Sequence, residues 1–145
     1  MISFVKFVAL PAAFAFAALI CGTLQEAYAN DDQSDLSVRV GLVHSLSGTM
    51  AVVEKGLVAA ELLAIDQINS EGGVSVNGRE YFIEAIIKDG GSRWPLYAHQ
   101  AKQLIDRDRV PVVFGGWTSA SRKAMLPVVE SRDSLLFYPL YYEGQ

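Results

Sequence analysis

The chain has 145 residues, of which 51% are hydrophobic and 10% aromatic, with a formal net charge of −4 and a single cysteine. A chain of this size and hydrophobicity can bury the core of one ordinary domain. Its mildly acidic balance, with no basic run, excludes the electrostatic footprint of a protein that binds nucleic acid or an anionic lipid surface.

The first segment reads as a targeting signal. Lys6 is its sole early charge, Phe7 to Ile20 is almost unbroken apolar sequence, and Ala27-Tyr28-Ala29 supplies a small-x-small cleavage pattern before Asn30. Residues 1–29 are therefore expected to be a secretory signal peptide cleaved after Ala29. The apolar run falls short of the ~20 residues that a membrane-spanning helix needs. Cys21 lies within the removed segment, and the large Ile20 before it does not fit lipoprotein processing. Without that cysteine, neither disulfides nor thiolate metal sites can support the fold. Residues 30–36 are polar and acidic and read as a flexible leader, which leaves 37–145 as the folded domain.

From Leu36 onward, strand and helix patterns alternate. Val38 to Val43 is a β-branched run that ends at the turn residues His44 to Thr49. From Val52 to Ser70, the spacing Val53, Leu57, Ala60, Ala64, Ile68 predicts an inner helical face, with Glu54, Lys55, Glu61 and Gln67 off it. Gly72-Gly73 ends that helix. Asn77-Gly78 is a two-residue turn signal that closes a small hairpin between Val74-Ser75-Val76 and the strand Tyr81 to Lys88. Trp94 and Pro95 open a second helix, because proline's fixed φ and missing donor suit a first turn. Tyr97, Ala101, Leu104 and Ile105 form its inner face. A third strand covers Val110 to Phe114. A third helix runs from Ser119 to Arg132 with Ala124, Met125 and Val128 inward, and a fourth strand is Leu135 to Tyr138. Apolar strands separated by helices predict an α/β fold: a doubly wound parallel sheet with helices on both faces.

In such sheets, ligands collect beyond the carboxyl ends of the strands. Those ends are Ser45 to Thr49, Asp89 to Ser92, Gly115 to Ser119 and Tyr138 to Tyr142, all rich in hydroxyls, glycines and rings. The opposite loops, Glu71 to Arg79, Arg107 to Arg109 and Arg132 to Ser134, read as charged, solvent-facing connections. The densest signal is Gly115-Gly116-Trp117-Thr118-Ser119-Ala120-Ser121, directly behind the apolar strand. There a glycine turn opens a helix, so hydroxyls and backbone N–H groups converge where a small polar ligand can dock. Ser119 is the first candidate donor, with helix N-cap as its alternative role. Thr118 and Ser121 read as turn and cap residues. Ser45, Ser47 and Thr49 are donors from the first loop or caps of the following helix.

Four stretches carry a family resemblance: Val40 to Met50, Ala60 to Ile65 with Asn69 to Gly73, Gly115 to Lys123, and Leu136 to Pro139 with Tyr142 to Gln145. Together they resemble the start of type I periplasmic substrate-binding proteins of ABC transporters, in the branch that binds urea and short-chain amides. The resemblance implies a periplasmic receptor that captures a small polar solute, needs no cofactor, and meets the inner membrane only through its ABC permease. Trp117 and Tyr138 match family positions where an aromatic wall meets the ligand, and beside them Ser119, Thr118, Ser45 and Ser47 are expected as ligand contacts from the helix start and the first loop, with Tyr141 and Tyr142 near the cleft entrance. Members of that family have two lobes and run to several hundred residues. The chain is thus expected to be a truncated form, with 37–145 a partial first lobe. An amide-sensing receptor domain and a remnant without function are the alternatives.

A secreted hydrolase is a further reading, and it lacks its parts. Nucleophilic catalysis needs a nucleophile, a base and an orienting acid, yet the histidines are His44 and His99 alone and no Gly-x-Ser-x-Gly elbow occurs. His44 with Ser45 and Asp89 is the nearest constellation, but adjacent strand residues point to opposite faces. His44 reads instead as a loop-end polar residue and His99 as an exposed helix position. No catalytic residue is assigned. No His, Asp and Glu set has metal-ligand spacing, so no metal is expected.

Overall fold

Strand β1 (Ser37–His44) becomes buried from Val40 to its end, which a strand can sustain only with neighbours on both edges and layers on both faces. The computed structural model describes residues 36–139. The expected signal peptide, most of the leader, and Tyr141 and Tyr142 lie outside the described residues. Four more strands, β2 (Val74–Val76), β3 (Arg79–Asp89), β4 (Val112–Gly115) and β5 (Leu135–Phe137), make a sheet of order β2-β3-β1-β4-β5. Pairing is parallel throughout except for β2, which runs antiparallel to β3. Their connection is the expected hairpin: Asn77 and Gly78 both have positive φ, 54° and 78°, as a tight two-residue turn demands.

Among the described residues, three helices cover the sheet: α1 (Ala51–Ser70), α2 (Trp94–Asp106) and α3 (Ser119–Glu130). Side-chain alternation along the strands assigns them to faces. Val43 and Val113 point to one face, where they form the main core with Tyr97, Ala101 and Leu104 of α2, Val110, and Met125 of α3. Val40, Leu42, Ile83 and Phe114 point to the other, toward Ile65 and Ile68 of α1. The predicted inner faces of α2 and α3 hold in their main lines, although Val129 is more deeply buried than Ala124 or Val128.

The inner face of α1 requires a correction. Val53 is 41% exposed, and Ala60 and Ala64 also face solvent, while Ala51, Glu54 and Val58 are buried. The stripe Ala51, Glu54, Val58, Glu61, Ile65, Ile68 has helical spacing as good as the apolar stripe chosen on hydropathy. It wins because two of its members are carboxylates with buried partners at the end of β1.

Where β2 stops, Asn69 takes over the edge of β3. Its amide accepts from Ile83 N–H at 2.8 Å and donates to Ile83 C=O at 2.9 Å, so the backbone groups of Ile83, just beyond β2, are satisfied. At the end of the sheet opposite the strands' carboxyl termini, Asp106 of α2 pairs with Arg132. That end is charged and solvent-facing, as expected.

Gly115 ends β4 with φ of +143°, and a Cβ there would lie 2.1 Å from the carbonyl oxygen of Val43 on the adjacent strand. Neither backbone can yield without breaking the ladder. Gly115→Ala is predicted to cost about 2–4 kcal/mol through combined backbone strain and overpacking. Urea denaturation of the variant checks this, and an unchanged midpoint would contradict it.

Candidate functional site

The parallel register sets the strand ends on one level. His44 lies opposite Asp89, Val43 opposite Gly115, and Phe114 opposite Phe137. After β1 the chain places β3 on one side and β4 on the other, so strand order reverses at β1, the place where ligands collect in such sheets.

Asp89 organises the first two loops. Its Oδ1 accepts from the N–H groups of Leu46 at 2.8 Å, Ser47 at 3.2 Å and Gly91 at 2.8 Å, and its Oδ2 from the Ser47 hydroxyl at 2.6 Å. Partial burial pushes its pKa up, but the Ser47 hydroxyl and those backbone donors outweigh it and hold the carboxyl below its usual range. Ser92 adds a second tie, donating its hydroxyl to Ser47 C=O and accepting from Met50 N–H, both at 2.9 Å.

Beneath this rim lies a buried chain of polar groups. Glu54 Oε2 accepts from the N–H of Ser45 at 2.8 Å and from the Tyr97 hydroxyl at 2.5 Å. Ser45 Oγ is 2.7 Å from that hydroxyl and accepts from Ser92 N–H at 2.9 Å. His44 stands between two carboxylates, Nε2 at 3.0 Å from Glu61 and Nδ1 at 3.4 Å from Glu54. The latter is a charge contact rather than an aligned hydrogen bond. Burial alone would depress the imidazole, but the two glutamates outweigh it and raise His44 to about 9, so it is an imidazolium at neutral pH. Burial likewise pushes Glu54 up, and His44, Tyr97 and Ser45 together bring it below its ordinary value. Burial and the facing Glu54 raise the Tyr97 hydroxyl, which therefore stays protonated.

Glu54 sits on α1 and Tyr97 on α2, on opposite faces of the sheet. They meet over its rim because Gly90 has no side chain: a Cβ there would lie 2.5 Å from the Tyr97 ring.

On the other half of the rim, Thr118 is the N-cap of α3 and forms a capping box with Ser121, each side chain bonded to the other's backbone N–H. Ser119, weighed above as a possible cap, is instead the first residue of the helix and is half-buried. The hydroxyl of Tyr138 donates to Trp117 C=O at 2.6 Å, and the Arg122 guanidinium lies over the Tyr138 ring at 5.7 Å. Gly116 N–H donates to Val43 C=O at 3.0 Å, which fastens this loop to β1.

A sequence comparison now decides the family. Residues 38–145 match the family described as Periplasmic binding protein domain. The chain belongs to that family. Among solved structures, it is similar to the branched-chain amino acid transporter substrate-binding protein LivJ of Streptococcus pneumoniae, in complex with isoleucine. That match has 26% identity and a TM-score of 0.64, covering 69% of this chain and 28% of that one. An ABC transporter substrate-binding protein of Sphaerobacter thermophilus matches at 28% identity and a TM-score of 0.58, over 69% of this chain and 25% of that one. An ABC transporter protein of Silicibacter pomeroyi, described as a branched-chain amino acid transporter, matches at 25% identity and a TM-score of 0.61, over 69% and 24%. The chain thus spans about a quarter of the length of these relatives.

Within this periplasmic binding protein domain, the residues expected to meet a ligand fall into three groups. Trp117, Thr118, Ser119 and Tyr138 come together over β4 and β5. Ser47 and Thr49 are exposed on the neighbouring loop, Ser47 bonded to Asp89. Ser45 is fully buried and its hydroxyl is engaged below the rim, and Tyr142 lies outside the described residues. His44 and Ser45 point to different partners, so no Ser–His pair forms, and His99 is exposed beside Gln103. The sequence reading missed Glu54, Glu61 and Tyr97 as polar members of the site's foundation. The glutamates' seven-residue spacing, two helical turns, opposite a histidine at a strand end was the available signal.

The pH dependence of stability follows from these groups. His44, raised above its ordinary 6.5, contributes stability that is complete below pH 6.5 and lost as pH rises through about 9. Glu54, lowered from 4.5, contributes stability present above 4.5 and lost as pH falls through its folded value. Stability should therefore be highest between about pH 4.5 and 6.5 and fall by on the order of 2–3 kcal/mol toward pH 9.5. Denaturant midpoints across that range measure it. In His44→Gln the alkaline decline should vanish, and an equally steep decline there would contradict the assignment.

Proposed function

We propose that residues 37–145 form part of the first lobe of an extracytoplasmic solute-binding component of an ABC importer, exported to the periplasm by residues 1–29. Family membership and the transporter substrate-binding relatives support this reading. The observation that carries it is the joining of Trp117, Thr118, Ser119 and Tyr138 at the carboxyl ends of β4 and β5, beside the point where strand order reverses. The start of α3 offers the positive end of a helix dipole to an oxygen acceptor. Trp117 and Tyr138 supply flat walls, and Ser47 a hydroxyl on the adjoining loop.

The solute is accordingly a small molecule with a carbonyl or carboxylate oxygen. The motifs of the chain favour urea or a short-chain amide. A branched-chain amino acid is the second reading, because a relative at 26% identity carries isoleucine. The permease of the importer is the protein partner.

Isothermal calorimetry of the protein with urea, acetamide, leucine and isoleucine separates these readings. Heat with one class and none with the other selects the solute, and silence with all four sinks the proposal. Ser119→Ala should weaken the selected solute about threefold to tenfold, the worth of one hydrogen bond, without lowering the unfolding midpoint by a comparable amount.

A further inference from the structure

We propose that Glu54, which lies below the rim and touches no solute, is the residue that positions the rim loops for binding. The inference rests on reading the rim as the solute site. Its basis is the path of contacts from one buried carboxylate into both loops. Glu54 is fully buried and holds the first residue after β1 by its backbone, through Ser45 N–H at 2.8 Å. The same oxygen holds the Tyr97 hydroxyl at 2.5 Å, and this hydroxyl fixes the Ser45 side chain at 2.7 Å. Ser45 Oγ then accepts from Ser92 N–H, and Ser92 returns to the first loop through Ser47 C=O and Met50 N–H. Every link is a directed hydrogen bond of good length, so the orientation of one group dictates the next.

A merely packed residue at this place would need no charge. Here the carboxylate faces an imidazolium at 3.4 Å, and the same histidine is held from the far side by Glu61 at 3.0 Å. The ion pair keeps Glu54 an acceptor on Oε2, which both the Ser45 and Tyr97 donors require. A neutral acid or amide would present one oxygen acceptor and one donor, and the donor end would face His44 or turn against Ser45 N–H. The loops would then lose a common reference point while the apolar core on the far face, around Val113 and Leu104, would keep its own contacts.

Amide hydrogen exchange by NMR on the full chain tests this, with Glu54→Gln and Tyr97→Phe as variants. In both, the amides of Ser92 and Met50, neither of which bonds to Glu54, should exchange at least tenfold faster, together with those of Leu46 and Ser47. The amides of Val113 and Leu104 should change less than twofold. Uniform acceleration across rim and core, or no change at Ser92 and Met50, would overturn the proposal. Tyr97→Phe removes a single oxygen and decides the matter if Glu54→Gln does not fold. Calorimetry with acetamide and isoleucine on the same samples is a separate arm. Weaker binding with unchanged core exchange supports positioning of a solute site. If the parent protein binds none of urea, acetamide, leucine and isoleucine, the solute reading fails, whereas the exchange pattern still decides whether Glu54 sets the rim.

Discussion

The meeting of Glu54 and Tyr97 over the carboxyl end of β1 is the contact on which the arrangement of the rim depends. A sheet with helices on both faces has no intrinsic reason to hold those helices in register with each other, because each packs on its own side. Here the hydrogen bond from Tyr97 to Glu54 passes over the strand ends and joins α1 to α2 directly. It needs Gly90, whose missing side chain lets the tyrosine ring cross. It also needs compensation, since a buried carboxylate left alone costs several kcal/mol or more. His44 supplies the charge and Ser45 N–H and Tyr97 the donors. Removing any of the three leaves the buried carboxylate of Glu54 short of a partner, which is why the cluster acts as a unit.

Much of the architecture was legible in the sequence because it rests on periodicity and punctuation. The order of strands and helices, the Asn77-Gly78 hairpin, the start of α2 at Trp94-Pro95 and its inner face of Tyr97, Ala101 and Leu104 all follow from local rules that the tertiary structure does not overrule. The face of α1 did not, and the reason is physical. Hydropathy ranks Val53 and Ala60 above Glu54 and Glu61, but burial is decided by what lies opposite, and a histidine at the end of β1 makes carboxylates the better fit. The same long-range pairing hides the role of Ser45. Its position after a strand looks like a rim donor, whereas Tyr97, 52 residues further on, draws its hydroxyl inward. Contacts of such sequence separation leave no local pattern. The Trp117 to Ser119 turn was legible as a helix start, and Thr118 and Ser121, read as turn and cap residues, form the capping box, so that only the alternative cap role of Ser119 falls away.

The two faces of the sheet are filled to different degrees. On the α2 and α3 side, Tyr97, Ala101, Leu104, Val113 and Met125 are completely buried. On the α1 side, the helix covers β1 and β3, and a cavity of about 270 Å³ separates it from Phe114. Beyond it, Leu135 and Phe137 of β5 are 60% and 52% exposed, with Phe137 stacked on Phe114 at 5.2 Å between ring centroids. Stability therefore comes mainly from the α2 and α3 side, together with the polar cluster that anchors the beginning of α1. The rest of α1 has less apolar area to hold it, so the anchoring of Glu54 and Glu61 to His44 weighs more in its placement than the hydrophobic stripe does.

That division also explains the chemistry of the rim. Asp89 is its carboxylate, yet three backbone N–H groups and a hydroxyl occupy both oxygens. It works as an internal brace, and a cationic solute would have to break those bonds to reach it. Over β4 and β5 lie instead the start of α3, with Thr118 and Ser119, and the rings of Trp117 and Tyr138. A helix start favours oxygen acceptors, and ring faces favour a compact planar or aliphatic body. The buried imidazolium takes part at one remove: by keeping Glu54 charged, it keeps the donors beneath the rim turned inward.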